Sequence, residues 1–289
     1  MGIKRGKVGP LQMTKLPALP PRPVDGQKGM FGRVLVIASS EEMIGAPVLA
    51  ATSALRMGSG LVYLAAPRSV LAAALTITPE LVGMFLPPAG SPALIAVADK
   101  CDAIVIGPGL GQSSGAAKRV AQMIRLHKPM VIDADALNIL ARGKKWPGAF
   151  RARAVLTPHP GEMKRLIHLI GRTEVPTDDA GRIELAATAA AAWKVVVVLK
   201  GHRTVITDGR RVRINSTGDS SLSKGGSGDI LSGMIASLLG LKMDPFEAAS
   251  LAVHLHGLAG EIAGKKLGRR SVLGREVIDA ISAAIRKVG

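Results

Sequence analysis

An α/β fold built on a mainly parallel sheet, with helices on both faces, is what this sequence predicts, and three observations carry it. Short apolar runs recur without alternating: "RVLVIAS", "LVYLAAP", "DAIVIGPG", "PMVIDADAL", "AVLTPHPG" and "VVVVLKG". Strands that are apolar on both sides belong to sheets covered on both faces. Between them lie stretches with helical spacing, such as "GAAKRVAQMIRLH" and "AGRIELAATAAAAW". Each apolar run also ends in small or polar residues, and in such folds ligands bind beyond the carboxyl ends of the strands.

Taken in order, residues 1–27 are basic and Pro-rich, and Leu16–Pro23 reads as an extended leader on the surface of a single domain, 28–289. No apolar signal segment follows the basic start. "RVLVIAS" is a strand, "APVLAATSALRMG" a helix and "LVYLAAP" a second strand. The longest apolar stretch, "VLAAALTITPELVGMFLPPAG", contains Pro79, Glu80, Pro87 and Pro88, which excludes a membrane span. Cys101, the single cysteine, opens the strand "CDAIVIG" as a buried inert thiol; with no partner in the chain, it fits a reducing, cytoplasmic location. "TVITDGRRVRI" is a hairpin turning at Asp208–Gly209. Ile230, Leu231, Met234, Ile235, Leu238 and Leu239 recur with helical period, so a buried helix starts at about Asp229.

The apolar fraction, 47%, is ample for a core, yet aromatics make up only 2%, so Ala, Val, Leu, Ile and Met must fill it. The 38 Lys and Arg against 21 Asp and Glu give a net charge of +17. These charges are scattered and no aromatics are interleaved to stack bases, so the footprint of a nucleic-acid surface is missing. A basic surface also steers small anions such as nucleotides.

The chemistry concentrates at the strand ends. In "SKGGSGD", Gly225, Gly226, Ser227 and Gly228 turn backbone amides toward one point at a helix N-terminus, an anion site made of dipoles. Asp229 beside it is either a helix cap or a base that takes a proton from a hydroxyl attacking a phosphoryl group; the density of glycines favours the base. No Gly-Lys-Ser/Thr follows, so this is not a Walker A loop, and "GPGLGQSSG" lacks the spacing of a dinucleotide fingerprint. That loop either approaches a ligand closely or simply turns. Asp133 and Asp135 in "DADALN" serve Mg²⁺, a substrate hydroxyl or a helix cap. "TPHPGE" offers His159 and Glu162 without the further ligands a zinc site needs. Lys200 closes the strand of "VVVVLKG", where it meets a nucleotide or is merely solvated.

In this order, "GPGLG", "DADALN", "TPHPGE", "LKG…T" and "GGSGD" resemble the ribokinase-like superfamily, and within it the NAD(P)H-hydrate dehydratases. The resemblance runs from Lys28 to the last helix. It implies a ribokinase-like three-layer sandwich and a hydro-lyase that repairs hydrated NADH or NADPH (NADHX, NADPHX). ADP, or ATP, phosphorylates the hydrate hydroxyl with Mg²⁺, and elimination of phosphate restores the dihydronicotinamide. Residue by residue, it implies Asp229 as catalytic base and Ala46, Gly109, His159 and Asp229 as hydrate contacts. It implies Lys200, Gly201, His202, Arg203, Thr204 and Gly228 for the nucleotide, and Glu162 for Mg²⁺ through water. A homotetramer and a separately encoded epimerase are also implied. The chain departs from the family at Asp219, where Asn is usual, at Lys224, where Thr is common, and in "IASS" at Ser39–Ser40; these changes bear on loop geometry. A small-molecule kinase acting on a vitamin precursor or sugar is the alternative, since the same base and anion site suit any hydroxyl. His159 argues against it, because vitamin kinases of this superfamily tend to carry Asn there. A non-catalytic nucleotide-binding or nucleic-acid-associated protein would have no use for Asp229.

Overall fold

The structure, a computed structural model, describes residues 11–38, 40–143, 146–151 and 153–288. Ten strands form one sheet: β1 (Gln12–Met13), β2 (Arg33–Ile37), β3 (Leu61–Ala66), β4 (Val82–Phe85), β5 (Ala103–Ile106), β6 (Met130–Ile132), β7 (Ala154–Leu156), β8 (Val196–Leu199), β9 (Val205–Thr207) and β10 (Arg211–Ile214). Their order across the sheet is β1-β10-β9-β8-β7-β6-β5-β2-β3-β4. All neighbours are parallel except β8–β9 and β9–β10.

The apolar runs read as two-faced strands because they are. In β2, Val34 and Val36 point into one core and Leu35 and Ile37 into the other, all four at 0% exposure. The first core is covered by α1 (Gly45–Arg56), α2 (Arg68–Ile77), α8 (Ser227–Gly240), α9 (Pro245–Leu267) and α10 (Gly274–Val288). The second lies under α3 (Pro92–Lys100), α4 (Ser114–Met123), α5 (Ala134–Arg142), α6 (Pro160–Leu166) and α7 (Asp179–Trp193). The result is the expected three-layer sandwich. Among the described residues no helix is long and apolar enough to cross a membrane.

The chain runs outward through β2, β3 and β4, then returns to the other side of β2 and continues through β5 to β8. The reversal between β2 and β5 opens a crevice at their carboxyl ends, where such sheets place ligands.

Some elements differ from expectation. The stretch after Pro79 contributes β4, and Gln12–Met13 pairs with β10, so residues 11–27 add a strand to the sheet edge. Leu16 and Leu19 pack on the core, and Arg22 lies 3.7 Å over the Phe31 ring; residues 1–10 and Ser39 lie outside the described residues. The hairpin keeps a two-residue turn but one position later than expected: Thr207 pairs with Val212 and the Asp208 amide donates to the Arg211 carbonyl, so Gly209–Arg210 make the turn, with Asp208 Oδ1 accepting from the Arg210 and Arg211 amides. Cys101 is buried, and burial, reinforced by Asp102, pushes its thiol up to about 11.

Candidate active site

Helix α8 begins at Ser227, two residues before Asp229, because Gly226 takes the cap position. Gly226 sits at φ 91, in the left-handed region, and a Cβ there would stand 2.4 Å from Leu49 Cδ1. No side chain caps this end, and among the described residues the amides of Gly228 and Asp229 donate to no acceptor. They face a cavity of about 820 Å³. Asp229 is therefore not the cap. Its carboxylate accepts no hydrogen bond among the described residues. Burial, followed by the charge of Asp133, pushes its pKa up to about 7, against the opposing pull of Lys200.

Lys200 ends β8 with its ammonium turned inward, 2.9 Å from Asp133 Oδ1 and 3.7 Å from Glu162 Oε2. Burial works against its charge, yet Asp133 and Glu162 outweigh burial and raise its pKa. Asp133, at the end of β6, is 1% exposed and also accepts from Ser232 Oγ of α8 at 2.6 Å. A Cβ on Gly228 would lie 3.1 Å from Lys200 Nζ, so the missing side chain leaves room for the ammonium. One buried cation thus ties β6, β8, α6 and α8 together beneath the anion site.

His159 caps α6: its Nδ1 accepts from Gly161 and Glu162 amides at 3.0 and 3.3 Å, while Glu162 Oε2 accepts from the His159 amide at 2.8 Å. The acceptor role of Nδ1 places the ring proton on Nε2, 3.4 Å from Glu162 Oε1. Burial, then Lys200, lowers the pKa of His159, so the ring is neutral. The segment Lys200–Thr204 is shaped by Arg182 of α7. Its guanidinium donates to the carbonyls of Leu199, Lys200, His202 and Arg203. Arg203, at φ 56, pairs with Asp179 at 2.6 Å.

The cavity brings together Asp229, Gly225–Gly228, Lys200–Thr204 and His159. Ala46, Gly109 and Glu162 are not in its lining. Ala46 lies in the first turn of α1, and a Cβ on Gly109 would come within 2.6 Å of the neighbouring Pro47. Both lie in the segments that follow β2 and β5. Asp135 ties the "GPGLG" loop to α5 by accepting from the Gly111 amide at 2.9 Å. Lys224 and Asp219 line the cavity, and Asp219 pairs with Arg269 at 2.7 Å.

Among the described residues no three His, Cys, Asp or Glu side chains come together as a metal cage. Both Asp133 oxygens are engaged, and Glu162 is 5% exposed. Asp229 is the carboxylate left open. Mg²⁺ commonly binds through one or two carboxylates and the phosphates of a nucleotide, and that donor set fits here.

The sequence model of the NAD(P)H-hydrate dehydratases matches residues 34–283. The chain belongs to that family. It is 40% identical, over 93% of its length, to a bifunctional NAD(P)H-hydrate repair enzyme Nnr of Moorella thermoacetica, of which it covers 52%. It is 33% identical over 92% of its length to the enzyme of that name from Escherichia coli, covering 50%. The chain spans about half the length of the curated relatives it matches. Among solved structures, an ADP/ATP-dependent NAD(P)H-hydrate dehydratase of Bacillus subtilis, co-crystallised with ATP and Mg²⁺, superposes at TM-score 0.81. The identity is 31%, with 94% of this chain and 95% of that one covered. A hydroxyethylthiazole kinase of Pyrococcus horikoshii shares the fold at TM-score 0.62 and 18% identity, over 88% of this chain and 90% of that one.

For a member of this family, the far wall of the cavity holds residues that no motif marks. Asn215, Thr217, Val253, His256 and Gly257 come from the end of β10 and from α9. His256, in the apolar helix α9, is buried, and its Nε2 lies 3.3 Å from Ser227 Oγ at the start of α8. Burial lowers its pKa to about 4, so it meets Ser227 as a neutral ring.

Proposed function

We propose that this NAD(P)H-hydrate dehydratase family member restores NADH and NADPH from NADHX and NADPHX, with ADP as phosphoryl donor. The reading rests on one observation: Asp229 stands unpaired beside free amides at the start of α8, in the same cavity as Lys200–Thr204 and His159. Asp229 takes the proton of the hydrate hydroxyl as its oxygen attacks the terminal phosphoryl group of ADP. The glycine loop Gly225–Gly228 turns toward the developing charge, and the unengaged amides of Gly228 and Asp229 hold it at a fixed geometry that needs no reorganisation. AMP departs; phosphate then leaves the hydrated ring carbon with its bonding electrons while the neighbouring carbon gives up a proton, and the double bond of the dihydronicotinamide returns. Mg²⁺, when bound with the nucleotide, would neutralise phosphate charge beside Asp229. His159, neutral and fixed by its cap, offers Nε2–H to the hydrate, and Lys200–Thr204 flanks the nucleotide. Ala46 and Gly109 border the hydrate from the crevice between β2 and β5.

The same proposal includes cytoplasmic action, no nucleic-acid partner, and a homo-oligomer, taken as a tetramer. β4 is an edge strand with Val82 and Phe85 exposed, which suits burial against another copy. Light scattering on the purified protein measures that state.

The deciding experiment mixes the protein with hydrated NADH, Mg²⁺ and either ADP or ATP and follows NADH absorbance. Recovery with ADP, together with AMP and phosphate, is expected. Recovery with ATP alone would overturn the choice of donor, and none with either would overturn the activity.

A further inference from the structure

Helices α5 and α6 both start at the cavity, where Ala134 and His159 line it, and they run away from it packed side by side. Farther along them lies a second cavity, of about 510 Å³, lined by Gln112, Asn138, Ala141, Arg142 and Arg165. Arg142 is eight residues beyond Ala134 and Arg165 six beyond His159, about 12 and 9 Å of helix rise. Helical side chains lean back toward the N-terminus, which brings both guanidinium groups nearer the first cavity. Arg165 is close enough to add to the lowering of the His159 pKa, after burial and Lys200.

The polar groups here are arranged in one direction. Arg165 Nε donates to Asn138 Oδ1 at 2.8 Å, and Arg142 Nη2 donates to Gln112 Oε1. Gln112 in turn donates to Asp135 Oδ1 at 2.9 Å, and the other Asp135 oxygen is held by the Gly111 amide. Asp135 is thus occupied by neutral donors, and Glu162, which also feels Arg165, is engaged by Lys200 and the His159 amide. Among the described residues neither arginine forms an ion pair. Two guanidinium groups without an ion-pair partner, lining one pocket, repel each other unless an anion lies between them. Guanidinium forks match the oxygens of a phosphate, and the side-chain amides can add donors around it.

We propose that the Arg142–Arg165 pocket binds a phosphate group on the tail of the dinucleotide whose hydrated ring enters the main cavity. This rests on the functional reading above. The phosphates of ADP are met by the amides of α8, so a second anion site at this remove serves the other substrate. The phosphate is either the dinucleotide's bridging pyrophosphate or the 2′-phosphate that distinguishes the NADPH series. In both cases the pocket raises affinity for the hydrate and leaves the donor nucleotide untouched.

The test uses Arg142→Gln, Arg165→Gln and the double variant, each with a melting temperature matched to the parent. Binding of NADPH and NADH is measured by titration calorimetry, and KM is measured for NADPHX, NADHX and ADP. Losing a charge-assisted hydrogen bond to phosphate costs about 1.5–3 kcal/mol, roughly a tenfold to hundredfold weakening. A loss of that size for both dinucleotides assigns the pyrophosphate, and a loss confined to NADPH and NADPHX assigns the 2′-phosphate; each supports the site. Unchanged dinucleotide affinity overturns it, as does a rise in KM for ADP instead. Because calorimetry needs no turnover, an inactive parent whose NADPH binding depends on the arginines would remove the dehydratase reading and keep the pocket.

Discussion

With Gly226 at the cap of α8, Asp229 has no part in closing the helix, so its replacement leaves the cap intact. Asp229→Asn is expected to lower kcat by about 10²–10⁴-fold, because the amide cannot accept the hydroxyl proton. Affinity for ADP should hold in calorimetric titration. With a pKa of about 7, the base also makes kcat fall as pH drops below neutrality, and the pH profile of the parent reports that limb. The same shift acts on stability. The folded state holds this proton up to about pH 7 and the unfolded state only to about 3.8, so the benefit is complete below 3.8 and lost as pH rises through 7. Asp229→Asn should therefore melt higher than the parent at pH 8 and equally at pH 3. His159 poses a different question, since it both caps α6 and faces the cavity. His159→Ala loses the cap, at a cost of about 1 kcal/mol, whereas Asn supplies an oxygen for the cap but no Nε2–H. His159→Asn is expected to keep the parent melting temperature and still raise KM for the hydrate. Equal KM in Asn variant and parent would assign the histidine to structure alone.

Between elements, the Lys200–Asp133 pair is the joint to break. Lys200→Met leaves a 1% exposed carboxylate without its cation, and removal of one partner of a buried pair costs about 3–5 kcal/mol. Asp133→Asn in the same chain should recover most of that loss, read by chemical denaturation of the single and double variants. This joint was not legible in the sequence. "LKG" marks Lys200 as a strand-end cation that faces solvent or a nucleotide; that it turns inward follows from β6 and β8 lying near each other with only β7 between them. The strands themselves were legible wherever four or more apolar residues ran without alternation, as in β2, β3, β5 and β8. β4 was hidden because "VGMF" sits between Pro79 and the prolines at 87 and 88, and β1 because two residues carry no period. The near wall of the cavity was readable, since small and polar residues follow each strand. Its far wall, with Asn215 and His256, was not, because α9 reads simply as an apolar helix.

At the scale of the molecule, the resemblance and the fold agree because the site is a property of the sheet. The cavity gathers residues that follow β6, β7, β8 and β10 together with the start of α8, and the motif loops come from the ends of β5, β6, β7 and β8. The basic surface remains general: the cavity itself mixes Lys200, Lys224 and Arg203 with Asp133, Asp219 and Asp229. The buried thiol of Cys101, placed just before β5 near the middle of the sheet, has a further use. A thiol held at a pKa of about 11 offers almost no thiolate at neutral pH, and burial bars reagents from it. Its labelling by an aromatic disulfide is expected to be slow in native buffer and to follow the fraction of molecules whose sheet has opened. One colour-forming reaction, run with and without ADP, would then read how strongly a ligand at the strand ends holds the centre of the sheet closed.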